Sequence, residues 1–255
     1  MNGAVNISVW ALAGFYGLLL IPIYFFFRWQ LKLTRSLITA VLRMTIQLAV
    51  VGLYLHTLFS LNHIGLNVLW LSVMISVAGY TVCKRAGVEL KTVLPAVLIG
   101  LVVALVIALP AMLAGVIQAT PWWDAQYMIP IAGMLLGNSL SANVLALERW
   151  QSQLKEKHQE YQFYVAMGAP NPSQPFIKTA MGAAVLPQIA AMTTLGIVSL
   201  PGMMTGQILG GTAPLIAVKY QLAIMVAIFI SGILSVATTL TLIQRRTFSE
   251  YGEVK

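Results

Sequence analysis

The sequence predicts an all-α fold. It is that of a polytopic integral membrane protein with seven transmembrane helices, the N-terminus outside and the C-terminus in the cytoplasm. Three observations predict it. The 255-residue chain is 59% hydrophobic and 9% charged, with a mean hydropathy of +0.85, whereas soluble domains carry about 25% charged residues. Seven apolar runs lie end to end at roughly 8–27, 37–59, 64–83, 92–115, 126–147, 180–203 and 220–244, and about 20 apolar residues cross about 30 Å of hydrocarbon. Almost every Lys and Arg falls in alternate gaps between the runs, the sidedness that cytoplasmic loops show.

Arg28, Lys32 and Arg35 follow the first run, and no basic residue precedes it. That order reads as a span with its N-terminus outside, because a cleaved signal peptide carries its basic residues first. The second run contains Arg43 and Gln47, and the gap after it has no Lys or Arg. The third ends at Cys83, before Lys84, Arg85 and Lys91. A lone cysteine excludes an intrachain disulfide and a CxxC metal motif. The fourth run holds Pro95 and Pro110, which membrane helices tolerate.

The fifth run is polar for a span, and Arg149, Lys155, Lys157 and Lys178 follow it. The segment 148–178 is the largest polar stretch, a charged, helix-permissive half ended by Gly168-Ala169-Pro170 and further prolines. Residues 179–218 hold no charge. Two short spans there would put Arg245 and Arg246 outside, against the charge rule. One span is therefore expected, broken at Pro201-Gly202 and followed by an irregular outer segment with Gly206, Gly210, Gly211 and Pro214. The seventh run ends at Arg245 and Arg246. The whole of 1–255 reads as a single transmembrane domain.

The net charge of +8 does not imply nucleic-acid binding, because the basic residues flank spans, where they orient the chain and meet anionic lipid. No catalytic set is present. Gly-Lys never occurs, so there is no phosphate loop, and there is no H-E-x-x-H. His56, His63 and His158 are scattered. Arg43 is the one ionisable residue well inside a run, and gradient-driven carriers usually keep ionisable groups in the bilayer. Gly133, Gly137 and Ser141 recur every four residues and predict a helix-packing stripe. Asn138 beside it serves either an interhelical hydrogen bond or a substrate path shared with Gln47 and Gln188. The stretch Ser199-Leu-Pro201-Gly202-Met203-Met204 joins a helix breaker to two thioethers. It extends the expected path, with Met203 and Met204 either touching a soft metal or filling gaps. Lys219 either snorkels to headgroups or bonds carbonyls of 201–218.

Met128-Ile-Pro-Ile-Ala-Gly-Met134, Gly137-Asn138, Gly196-Ile-Val-Ser-Leu-Pro-Gly-Met-Met-Thr-Gly206 and Ala217-Val-Lys-Tyr-Gln221 give the chain a family likeness. So do Arg43-x-x-x-Gln47 and Met167-Gly168-Ala169. It resembles the FetB-type permease family, bacterial membrane subunits of an ATP-binding-cassette exporter linked to iron, with plant relatives linked to aluminium tolerance. The resemblance implies a homodimer in the bacterial inner membrane, with a separate cytoplasmic ATPase that holds ATP and Mg. It implies export of iron or a similar metal ion and no cofactor bound by this chain. Gly168, Ala169 and Pro170 would lie in the coupling loop that meets the ATPase. Export of an organic solute, such as a nucleotide sugar, and a stand-alone ion-coupled carrier are the alternatives.

Overall fold

The computed structural model describes residues 6–169 and 171–247. Pro170, expected in the coupling loop, lies outside the described residues. The described chain is almost wholly helical, and seven helices are long and apolar enough to cross a membrane: Val9–Arg28, Thr34–Leu61, Ile64–Ala86, Leu90–Ile117, Ala125–Glu156, Gln174–Thr194 and Pro214–Arg245. Each overlaps one predicted run.

The helices are α1 (Val9–Tyr16) and α2 (Leu20–Arg28), which together make the first span, then α3 (Thr34–Leu61), α4 (Ile64–Ala86) and α5 (Leu90–Pro110). A wider π-helical turn, Ala111–Ile117, continues α5 beyond Pro110. Then come α6 (Ala125–Glu156), α7 (His158–Ala166), α8 (Gln174–Thr194), α9 (Gly202–Leu209) and α10 (Pro214–Thr247). The core sits among α4, α5, α6, α8 and α10, around Leu101, Leu113, Ile131, Leu135, Leu147, Ile224 and Val236.

Close approach in this core rests on glycine. A Cβ on Gly100 of α5 would collide with Thr239 Oγ1 and would sit 2.6 Å from the Ser235 carbonyl of α10. A Cβ on Gly232 of α10 would sit 2.8 Å from the Gln188 amide of α8. The predicted Gly133–Gly137–Ser141 stripe does not make these approaches. A Cβ on Gly133 would meet only Met74, at an ordinary 3.4 Å, and one on Gly137 would meet nothing within 4 Å. The polar seam lies on the next face of α6. Asn143 Nδ2 donates to Ser235 Oγ at 2.7 Å, and Ser139 Oγ donates to Ser231 Oγ at 3.4 Å.

Alternate inter-helix gaps meet at the same end of the bundle. Gln151 Nε2 donates to the Gly87 carbonyl at 3.5 Å, and Gln244 Nε2 donates to Ser173 Oγ at 2.7 Å. These gaps hold the basic residues. At the other end Asn62 Oδ1 accepts from the Ala125 N–H, and Asn67 Nδ2 donates to the Trp123 carbonyl, both at 3.0 Å. The first two spans are peripheral. α1 and α2 bury no residue. α3 touches the bundle through Tyr54, Leu55 and Leu58, which pack near Trp70, Ala125 and Ile129.

Two expectations change. The sixth span stops at Thr194, and the break precedes Pro201-Gly202, which opens α9 instead of unwinding a helix. Proline's fixed φ suits a helix start. The Pro201 carbonyl accepts both the N–H and the hydroxyl of Thr205, at 3.0 and 3.1 Å. The outer segment expected to be irregular therefore contains a helix, and α10 starts at Pro214. The polar stretch 148–178 is also largely helical, formed by the end of α6, all of α7 and the start of α8.

Candidate functional site

Two cavities lie among α6, α8, α9 and α10. The first, about 220 Å³, is lined by Asn138 and Ser141 of α6, by Pro187, Gln188 and Met192 of α8, and by Met225 and Phe229 of α10. The second, about 250 Å³, is lined by Met192, Gly196, Pro201, Met204, Gln221 and Met225. Met192 and Met225 belong to both walls, so the cavities abut. No lining residue of either is charged.

Local sequence builds these walls. α8 carries Gln188-Ile-Ala-Ala-Met192 and α10 carries Gln221-Leu-Ala-Ile-Met225. Residues four apart share a helix face, so each helix presents one amide and one thioether. Pro187 withholds an N–H inside α8. Gln188 Nε2 donates to the Ala184 carbonyl at 3.3 Å, and its amide is pressed against Gly232. The side-chain oxygens of Gln188 and Gln221 are buried with no donor among the described residues. A buried acceptor left in that state is costly. Asn138 bonds within its own helix, Nδ2 donating to the Met134 carbonyl at 2.9 Å.

The structure divides the predicted site residues. Asn138, Gln188, Pro201 and Met204 come together, and Ser141 joins them as a wall residue instead of a packing residue. Met203 does not join them. It packs against the hydrophobic core, one residue and therefore about 100° around α9 from Met204. Ser199 and Gly202 are exposed and line neither cavity. Gln47 stands apart, in a groove at the basic end of α3. Among the described residues no group of three or more His, Cys, Asp or Glu could hold a metal ion. The side-chain donors in the walls are thioether sulfur, amide oxygen and the Ser141 hydroxyl.

Met192, Met225 and Gln221 line these walls outside the path that the sequence predicts. The repeated Gln-x-x-x-Met spacing was the available signal. Lys219 lines a separate cavity with Met112, Val116 and Ile117. It makes no hydrogen bond to the 201–218 carbonyls among the described residues.

Ala169 and Gly168 close α7. The Ala169 N–H donates to the Tyr164 carbonyl and the Gly168 N–H to the Val165 carbonyl, both at 3.0 Å, with Gly168 at φ +66. This paired pattern satisfies the last carbonyls of a helix and needs a left-handed residue. Tyr161 is buried against Phe176, with ring centroids 5.8 Å apart, so α7 is pinned to the start of α8. Phe163 and Met167 of this turn remain exposed.

Residues 9–248 match the family described as "Uncharacterised protein family (UPF0014)". The chain belongs to the UPF0014 family. The match includes all seven spans. This UPF0014 chain is 33% identical to "UPF0014 membrane protein slr1647" of Synechocystis over 89% of both chains. It is 33% identical to "Protein ALUMINUM SENSITIVE 3" of Arabidopsis thaliana over 77% of this chain and 71% of that one. It is 29% identical to "Probable iron export permease protein FetB" of Escherichia coli over 96% of this chain and 93% of that one. The family resemblance read from the sequence therefore holds, and the UPF0014 chain is a multi-pass membrane protein. No solved structure matches it.

Proposed function

We propose that this chain is the membrane subunit of an ATP-binding-cassette exporter that moves iron or a similar metal ion out of the cytoplasm. A separate cytoplasmic ATPase, holding ATP and Mg, would supply the energy. The observation that carries the reading is the pair of abutting, uncharged cavities lined by Asn138, Gln188, Gln221, Met192, Met204 and Met225. A path without a titratable group has no means of coupling transport to proton uptake, which favours an external motor over a stand-alone carrier. Amide oxygens and thioethers hold a metal weakly, and weak holding suits export, since release must be easy. The name of the Escherichia coli relative supports iron.

Coupling runs through one rigid element. α8 begins against α7 through Phe176 and Tyr161, and its far half carries Pro187, Gln188 and Met192 into the cavity walls. An ATPase that pushes on Gly168 and Ala169, with the exposed Phe163 and Met167 beside them, would move that helix and re-shape both cavities. The complex is a homodimer of permeases with two ATPases in the bacterial inner membrane, the basic end facing the cytoplasm. Copurification of a cassette ATPase with the tagged chain, together with lowered cellular iron on co-expression, tests the reading. Unchanged metal content with ATP-dependent loss of an organic solute would favour the organic cargo, a reading that the mostly apolar walls also accommodate.

A further inference from the structure

The cavity beside α3 differs in kind from the two just described. It is an open groove of about 610 Å³ lined by Arg35, Arg43 and Arg85, with Ser36 and Gln47. Three guanidiniums from two helices therefore share one space, and no lining residue is acidic. None of the three makes an ion pair or a side-chain hydrogen bond among the described residues. Arg35 and Arg85 sit at span ends, where a cation can reach water. Arg43 does not. It lies nine residues beyond Thr34 in α3, about 13 Å along the helix. An arginine at that depth is costly and needs a partner, and none of the described residues supplies one.

The rest of the lining says what the partner is. Guanidinium and amide N–H groups make the groove a donor surface, matched by an anion with several acceptor oxygens. Arg favours phosphate because its planar fork bonds two oxygens at once. Ala40, Met44 and Leu48 add apolar lining. The groove is also larger than a bare oxyanion requires. Like charge repels a metal cation, so this is not a continuation of the uncharged path, and it stands whether or not that path carries metal.

We propose that the Arg35–Arg43–Arg85 groove binds a phosphate group, presented either by an anionic lipid headgroup or by a free phosphate, and that this anion neutralises Arg43. The test uses the full-length chain in phosphatidylcholine nanodiscs, with thermal unfolding followed by tryptophan fluorescence. One arm titrates inorganic phosphate against chloride at equal ionic strength. The other replaces part of the phosphatidylcholine by phosphatidylglycerol. The unfolding midpoint should rise in at least one arm, and that arm names the source. Arg43→Gln should weaken the response about tenfold or more, the loss of one charge-assisted hydrogen-bonding group. Arg85→Gln provides the same reading if Arg43→Gln fails to fold. Arg28→Gln, at the basic end but outside the groove, should respond as the wild type does. No rise in either arm overturns the site. So does an equal loss in Arg28→Gln, which would mean general attraction to a charged membrane surface.

Discussion

Met203 and Met204 are neighbours in sequence and opposites in place. Met204 faces the second cavity, while Met203 packs on the core. Leucine conserves their volume, so each swap should change stability by less than about 1.5 kcal/mol. If sulfur contacts the cargo, Met192→Leu, Met204→Leu and Met225→Leu should each raise cellular metal retention at equal membrane abundance, and Met203→Leu should leave it unchanged. Equal behaviour of all four would reduce the cavity sulfurs to packing. Asn138 and Asn143 form a second such pair. Asn143 crosses to buried Ser235 at 2.7 Å, and Asn138 bonds only its own helix among the described residues. Interhelical polar bonds in bilayers contribute about 0.6–2 kcal/mol. Asn143→Ala should therefore lower the stability measured by denaturant titration in micelles by about that amount, with Asn138→Ala near zero. A larger loss for Asn138→Ala would show that the polar seam is misplaced.

At the scale of elements, the break between α8 and α10 is a closed turn followed by a helix. The Gly196 N–H donates to the Ser199 carbonyl at 3.0 Å, and Gly196 has φ +86. Glycine is required there by backbone conformation. Gly202 faces open space and has no positive φ. The two glycines should thus separate on mutation. Gly196→Val is expected to cost about 1–2 kcal/mol, and Gly202→Ala to be neutral or slightly stabilising, since alanine is the better helix former. Thermal unfolding of both variants checks this. At the opposite end, Gly168 at φ +66 shapes the exit from α7 with open space around it. Gly168→Val strains the backbone without a steric clash. It should leave membrane insertion intact while reducing ATPase stimulation in the reconstituted complex. Full stimulation would remove this bend from the coupling path.

At the scale of the whole molecule, the basic inter-helix gaps gather at one end and Asp124 caps α6 at the other. That arrangement gives the topology test. With Cys83 replaced, a cysteine at Thr212 should react with an impermeant thiol reagent on intact cells, and one at Gln159 only after permeabilisation. Reaction at Gln159 in intact cells would invert the orientation. The first two spans form a wing joined to the bundle near Tyr54 and Trp70, whose ring centroids are 4.3 Å apart. Toward its basic end this wing borders the arginine groove.

Span number and the clustering of basic residues followed from the sequence alone, because a bilayer makes both demands locally. A span must be long and apolar, and a loop left inside keeps its Lys and Arg. The family was legible for a similar reason, since short motifs survive without their tertiary setting. The sequence predicts a break at Pro201-Gly202 where the structure starts α9, because proline ends one helix and begins another with the same φ. Tertiary structure alone decided which polar residues meet. It placed Asn138 and Gln188 around one cavity and moved Gln47 to the arginines. It turned Met203 inward and made Gly100 and Gly232, unlike Gly133 and Gly137, points of close approach. Each of these depends on a helix's rotation about its own axis and on its neighbours, and hydropathy along the chain carries neither.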